Sequence, residues 1–291
     1  MITCHSEFGK LKRVFIKTAT DSFVSETHLQ QQWKELNFLS KPDLQKAINE
    51  YSDFEKLLRT NSAELIHLPQ HDSVTLDSMY CRDASLATDF GMILCNMGKP
   101  ARVPEPAACE KAFTQAGLPI LGRITAPGTL EGGDVAWVDE RTLAVGHTYR
   151  TNREGIRQLK QLLEPKGITV WVAEMPHYKG PADVFHLMSV FSPVDKDLAV
   201  VYSPLMPIAF RSGLLDRGFN FVEVPDTEWD SMGCNVLAIA PREVIMVEGN
   251  PVTRQRLMDA GCKVYEYAGA EISVKGGGGP TCLTRPIERI I

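Results

Sequence analysis

Near the C-terminus, Lys275 to Ile287 reads K-G-G-G-G-P-T-C-L-T-R-P-I, a run of four glycines and a proline that delivers one cysteine. Consecutive glycines discard side-chain packing and maximise backbone freedom, a combination retained where backbones approach closely or φ turns positive. Cys282 at the end of that run is a candidate nucleophile. Thiolate chemistry needs an imidazole to move protons and a carboxylate to orient it. His186, in F-H-L-M-S-V-F, and Glu131, in T-L-E-G-G-D-V, have the required types. Gly132-Gly133 lets the backbone pass close to something, leaving Glu131 and Asp134 fixed on either side. Asp83 adds a further acid. These residues are distant in sequence, so the fold must bring them together.

The elements that could do so recur. From Tyr80 onward, a polar residue opens a strand, a turn leads to a second strand, a helix follows, and a third strand closes the unit. Asp83 opens A-S-L-A-T-D-F-G-M-I-L-C, with a helix at Pro106 to Ala116 and a strand at Leu118 to Ile124. Asp134 opens the next unit, with a helix from Thr151 to Leu163 and a strand from Ile168 to Ala173. His186 opens the third, with helical Met206 to Arg217 and the strand Phe219 to Val224. Asn235 opens the fourth, with Pro251 to Ala260 and Lys263 to Tyr267. Cys282 opens a last strand that the N-terminal segment must complete.

The intervals between opening residues are 51, 52, 49 and 47 (83 to 134, 134 to 186, 186 to 235, 235 to 282). A period of about 50 points to circularly arranged β-β-α-β units, with residues 1–291 forming a single closed domain. Closure of the ring by the N-terminal strand leaves no unprotected sheet edge at the join. Equivalent units would point Asp83, Glu131 with Asp134, His186 and Cys282 at one axial pocket. The N-terminal region supplies the strand Leu11 to Thr18, an amphipathic helix carrying Leu44, Ile48, Tyr51, Phe54 and Leu58, and the strand Glu64 to Leu68. Pro42 is expected in that helix's first turn and Ser40 as its cap. Asp21 to Phe38, weakly periodic, stands where a lid over the pocket would begin.

Composition narrows the classes. The 291 residues are 44 % hydrophobic and 23 % charged, ordinary for a globular chain. With 36 acidic and 31 basic residues, a net charge of −5 and no block of like charges, nothing recommends a nucleic acid or an anionic membrane as partner. The seven cysteines are odd in number and contain no C-x-x-C pair, so a reduced, cytoplasmic compartment is expected. No apolar run approaches the length of a membrane span.

The motifs T-L-E-G-G-D-V, G-H-T-Y-R-T-N-R-E-G, F-H-L-M-S-V-F and G-G-G-G-P-T-C-L-T resemble the guanidino-group modifying superfamily of dimethylarginine dimethylaminohydrolases, arginine deiminases and amidinotransferases. The resemblance runs from the first strand to the C-terminus, and the length is similar to the dimethylarginine dimethylaminohydrolase branch. It implies the five-bladed β/α propeller (pentein) fold, in agreement with the period. It further implies Cys282 as nucleophile, His186 as general acid/base and Glu131 as the carboxylate that orients it. Asp83, with Asp77 as a second, is implied to receive the guanidinium, and Arg102 and Arg150 to hold a substrate α-carboxylate. The implied reaction converts an N-substituted arginine to citrulline and an alkylamine through a covalent thiouronium, placing the chain in arginine metabolism with no metal or organic cofactor.

Two departures bear on substrate. Met188 stands where arginine deiminases carry an aspartate, which argues against ordinary arginine deimination. Conversely, Arg82-Asp83 and the glycine-rich approach to Cys282 are similar to deiminases. Arginine deimination, hydrolysis of another guanidino or ureido compound, amidino transfer and, in another class, a non-catalytic propeller binding module are the alternatives. The expected partner is a small guanidino substrate, with homo-oligomer formation left open.

Overall fold

In the computed structural model, which describes residues 1–60 and 63–291, the repeats become five small sheets. The chain begins with β1 (Ile2–Thr3) and β2 (Lys10–Ile16), followed by α1 (Ala19–Phe23), α2 (Glu26–Gln32), α3 (Leu44–Thr60) and β3 (Glu64–His67). The second unit holds β4 (Ser85–Thr88), β5 (Gly91–Leu94), α4 (Glu105–Gln115) and β6 (Ile120–Arg123). The third holds β7 (Val135–Asp139), β8 (Thr142–His147), α5 (Arg153–Leu163) and β9 (Thr169–Glu174). The fourth holds β10 (Phe191–Asp195), β11 (Leu198–Val201), α6 (Ile208–Asp216) and β12 (Asn220–Glu223). The fifth holds β13 (Leu237–Ala240), β14 (Glu243–Val247), α7 (Pro251–Asp259) and β15 (Lys263–Tyr267), before the final β16 (Thr284–Ile290).

Within each of these four units the first two strands form an antiparallel hairpin, and a helical crossover brings the third in parallel to the second. That is the connection a parallel pair requires, since a tight turn can join only antiparallel strands. The hairpins turn identically, pairing Thr88 with Gly91, Asp139 with Thr142, Asp195 with Leu198 and Ala240 with Glu243. Three of them carry a register shift at the same place, just before the turn, after Trp137, Pro193 and Ala238. The repeat is therefore structural as well as numerical.

The first unit is assembled from both chain ends. β16 pairs antiparallel with β2 and β2 parallel with β3, giving the order β1-β16-β2-β3. The N-terminal strand thus completes the blade that Cys282 opens, as the spacing predicts, and the architecture is a five-bladed β/α propeller.

Burial follows position in the blade. β4, β5 and β11 are buried throughout, β5 and β11 as continuous apolar runs, whereas the third strands β6 and β12 are half-exposed. Helices cover the sheets with one apolar face each: Ala47, Tyr51, Phe54 and Leu58 on α3, and Ile156, Leu159 and Leu163 on α5. Phe210 of α6 packs edge-on against Phe191 of its own blade at 5.3 Å and against Trp171 of the preceding blade at 4.7 Å, knitting neighbours together. The cap expected at Ser40 is instead Asp43, whose Oδ1 accepts from the Lys46 amide at 2.9 Å; α3 starts at Leu44, one residue after this better-placed carboxylate. Among the described residues, no helix is long and apolar enough to cross a membrane.

Candidate active site

The residues that open the five blades meet because each blade is hydrogen-bonded to the next at this end. The Arg82 amide donates to the Cys282 carbonyl at 3.2 Å, and the Gly132 amide to the Asp83 carbonyl at 2.9 Å. The Leu187 amide donates to Asp134 Oδ1 at 3.0 Å, and the Val236 amide to Ser192 Oγ at 3.3 Å. The Thr281 amide donates to Asn235 Oδ1 at 3.0 Å, which closes the ring. Each contact joins consecutive blades. Buried main-chain groups that leave a strand must find partners, and here they find them on the neighbouring blade.

Around this ring, His186 Nε2 lies 2.8 Å from Glu131 Oε2, and His186 Nδ1 lies 4.0 Å from Asp83 Oδ1. Glu131 is fully buried; Oε1 also accepts from the Lys99 amide at 3.0 Å and faces Arg150 Nη1 at 3.5 Å. Gly133 lets this cluster form, because a Cβ there would collide with the imidazole and stand 2.7 Å from Asp83 Oδ1. Cys282 borders the same inner cavity, of about 20 Å³, as Asp77, Asp83, Arg102, Arg150 and His186. It also borders a wider cleft of about 440 Å³ that opens past Met188, Trp229 and Leu39. Leu36, Asn37 and Leu39, at the end of the weakly periodic N-terminal segment, form part of that cleft's wall.

The four glycines have separate reasons. Gly277 takes φ +75°, while Gly276 and Gly278 lie so close to Tyr80 that a Cβ would overlap its hydroxyl or ring. Gly279 abuts Asn235, where a Cβ would come within 2.5 Å of the amide. Tyr80 is itself pinned by its hydroxyl, which donates to the Ile272 carbonyl at 3.0 Å. Gly278→Ala is expected to destabilise the protein by about 1 to 3 kcal/mol, because neither backbone nor ring can yield without unpacking the other. Thermal unfolding checks this; an unchanged midpoint would mean that the run tolerates side chains.

Asn235 is a site residue that residue type alone did not mark, although it is the fourth of the period-opening positions. Its Oδ1 accepts from both the Thr281 amide and the Thr281 hydroxyl (2.8 Å), which leaves its NH₂ to donate to Cys282 Sγ at 3.5 Å. Arg82 supports the same loop from below, with Nε donating to the Thr281 carbonyl at 3.0 Å and Nη2 paired to Glu7 at 2.8 Å. Asp134 holds structure: its carboxylate accepts from the Leu187 amide and, at 2.7 Å, from Thr148 Oγ1.

Arg102 has four of its five N–H groups engaged. It forms a bidentate fork on Glu105 at 2.9 and 2.8 Å, pairs with Asp83 at 2.5 Å, and donates to the Tyr80 and Asp77 carbonyls at 2.9 and 3.3 Å. The arrangement fixes Asp83 and leaves Arg102 one Nη1 N–H without an acceptor. Asp83 Oδ1 is buried and accepts no hydrogen bond, a free acceptor beside the imidazole. Asp77 pairs with Lys99 Nζ at 2.6 Å. Arg150 is looser, with contacts of 3.5 and 3.4 Å and a buried Nε that has no partner.

Electrostatics divide the proton-carrying groups. Burial works against a charged His186, but Asp134, Asp83 and the hydrogen bond to Glu131 outweigh it and raise the imidazole's pKa. Burial likewise works against a charged Glu131, yet His186 and Arg150 hold its carboxyl below the usual range. The pair is an imidazolium–carboxylate at neutral pH. Burial, reinforced by Asp83, pushes the Cys282 thiol up, with Thr281 and Asn235 pulling it back. Burial also raises Asp134, to about 6.

Asp83, Glu131 and His186 each offer a donor atom within 4.8 Å of the others, the spacing of a metal site. Their carboxylates are already compensated by Arg102, Arg150 and the imidazolium, which does not suit a divalent ion. The same uncommitted acceptor suits a planar cation with several N–H groups.

The model of the family described as N,N dimethylarginine dimethylhydrolase, eukaryotic, matches residues 15–289. The N(G),N(G)-dimethylarginine dimethylaminohydrolase of Pseudomonas aeruginosa is 29% identical over 246 residues, covering 84% of this chain and 90% of that one. An uncharacterized protein of Bacillus subtilis, YkgA, is 28% identical over 291 residues, covering 98% and 95%. A solved structure of the Pseudomonas aeruginosa DDAH, a cysteine-to-serine mutant complexed with citrulline, superposes with a TM-score of 0.77 at 26% identity, covering 96% of this chain and all of that one.

Proposed function

This chain belongs to the N,N dimethylarginine dimethylhydrolase family, and from that premise we propose that it hydrolyses an N-substituted arginine to citrulline and an alkylamine. Membership and fold place it among enzymes that act on guanidino groups. The observation that carries the finer reading is the buried His186–Glu131 pair, whose imidazole borders the same inner cavity as Cys282, with Asp83 Oδ1 unpartnered beside it. Met188 supports an alkylated substrate: it puts a buried apolar side chain, not a carboxylate, on the cleft wall beside the reacting groups.

In the free enzyme Cys282 is a protonated thiol. A guanidinium docked on Asp83 offsets the charge that raises the thiol and adds a positive charge near Sγ, so the proton leaves to solvent. The thiolate adds to the guanidinium carbon. His186, cationic because of Glu131, gives its proton to the departing alkylamine as the C–N bond breaks, leaving a thiouronium. The now neutral imidazole takes a proton from water, whose oxygen attacks the same carbon. Collapse breaks the C–S bond and expels the thiolate, the hydroxyl proton leaves to solvent, and a neutral ureido product remains beside the imidazolium.

Incubation with asymmetric dimethylarginine, monomethylarginine and arginine, beside a Cys282→Ser control, tests this reading. Citrulline with dimethylamine or methylamine supports it; ammonia from arginine alone replaces it with deimination. No product from any of the three overturns the substrate assignment.

The thiol's environment gives a second expectation. Alkylation of Cys282 by iodoacetamide should require a pH above that of an ordinary thiol. The pH midpoint should fall in Asp83→Asn, because a neighbouring carboxylate disfavours the thiolate and its removal relieves that. Mass spectrometry of the Cys282 peptide against pH reads both. A midpoint unmoved in the variant would remove Asp83 from the thiol's electrostatics.

A further inference from the structure

The reaction sends an alkylamine away from His186, and the space around that residue limits how large the amine can be. We propose that the outer cleft is a subsite for the leaving amine, built for an apolar N-substituent larger than methyl, of the size of a butyl or phenylethyl group. The inference rests on the hydrolysis of N-substituted arginines proposed above and goes further by naming the size and chemistry of the substituent.

An inner cavity and an outer cleft meet at the reacting groups, with Cys282 and His186 bordering both. The inner one, of about 20 Å³, has room only for a small polar group beside Asp83. The outer one, of about 440 Å³, has the size of pockets that enclose whole organic ligands. His186 spends Nε2 on Glu131, so Nδ1 is the nitrogen that can protonate the departing amine. Gly133 packs against that Nδ1, where a Cβ would come within 2.4 Å of it, and Gly133 borders the outer cleft but not the inner cavity. An amine that takes its proton from Nδ1 while Asp83 holds the rest of the guanidinium therefore leaves its substituent on the outer side. The wall there is apolar. Met188 is buried and borders only the outer cleft. Trp229 stacks on Tyr202 at 4.3 Å and its Nε1 donates to the Tyr178 hydroxyl at 3.1 Å, which fixes both cleft-lining rings and leaves them carbon surface to offer. Charges at the rim are paired, Lys179 with Asp230 at 3.5 Å and Lys275 with Glu271 at 2.5 Å. A methyl substituent would leave most of this surface to water, whereas a longer apolar one displaces that water, a gain roughly proportional to the area covered.

The test measures citrulline release by the full chain from Nω-methyl-, Nω-n-butyl- and Nω-(2-phenylethyl)-L-arginine. All three release primary alkylamines of similar basicity, so differences in kcat/KM report the subsite more than the leaving group. Both larger substrates should exceed the methyl compound in kcat/KM by about 10-fold or more, the scale of a few methylenes moved from water into an apolar pocket. Trp229→Ala should lower the ratio of phenylethyl to methyl kcat/KM by roughly 10-fold, the loss of one aromatic wall. That ratio does not depend on how much of the variant is folded. Turnover of the methyl compound with both larger ones slower would overturn the proposal and leave the hydrolysis of N-substituted arginines standing. An unchanged ratio in Trp229→Ala would overturn it as well, because the preference would then arise outside the cleft. Citrulline from none of the three would overturn the underlying functional reading and this subsite with it.

Discussion

Cys282→Ser is expected to lower kcat by about 100,000-fold or more, the scale seen when a covalent nucleophile is removed, while leaving substrate affinity nearly intact. The serine hydroxyl can occupy the same volume and accept the same Asn235 NH₂ hydrogen bond, so the loop should not move. What it cannot do is ionise. A docked guanidinium can bring a thiol within reach of deprotonation near neutral pH, but a hydroxyl starts too many units higher for the same field to matter. Single-turnover trapping should find a protein-bound adduct in the native enzyme and none in the variant. A variant that retained even a hundredth of the native rate would mean that water attacks directly, and the covalent scheme would fall.

Glu131→Gln should cut kcat by roughly 1,000-fold, the range of a lost general acid/base function, and move its alkaline limb to lower pH. The sign follows from the pair. Glu131 stabilises the cationic imidazole, so its loss lowers the pH at which His186 gives up the proton that the departing amine needs. Activity on the alkaline side should fall first. Glutamine keeps the shape and an acceptor for the Lys99 amide, so backbone geometry should hold. Removing the charge nonetheless leaves two buried cations, His186 and Arg150, facing a neutral amide, a loss of about 3 kcal/mol. A kcat against pH profile and a thermal melt separate these effects. A lower melting point with an unmoved alkaline limb would make Glu131 a structural anion and take it out of proton transfer.

Much of this was readable from the chain. The period of about 50 residues located the blades, because each blade is a closed local unit whose hairpin, helix and strand follow one another in sequence. Residues such as Phe191, Phe210 and Leu159 report their burial through simple periodicity, since a helix or strand has one face or two to hide. Asn235 fell on that period as well, yet an asparagine carries no titratable group, and only its hydrogen bonds to Thr281 and Cys282 mark it as part of the site. Ser40 was the expected cap, with Pro42 in the first turn; the helix instead starts at Leu44, which leaves both residues outside it and makes Asp43 the cap.

The sequence by itself determined the fold class, the closure of the first blade by the N-terminal strand, and the candidate nucleophile, because glycine runs, apolar periods and repeat spacing act locally or at fixed intervals. Only the tertiary structure decided how the charges pair. Arg102, Arg150 and Lys99 are indistinguishable as cations in a string of letters. In three dimensions one is locked to Asp83 and Glu105, one is loosely held beside Glu131, and one is joined to Asp77 with an N–H to spare. A charge buried in a low-dielectric interior is governed by whichever opposite charge lies within a few ångströms. Those neighbours come from different blades, brought together by the ring of contacts that closes the propeller.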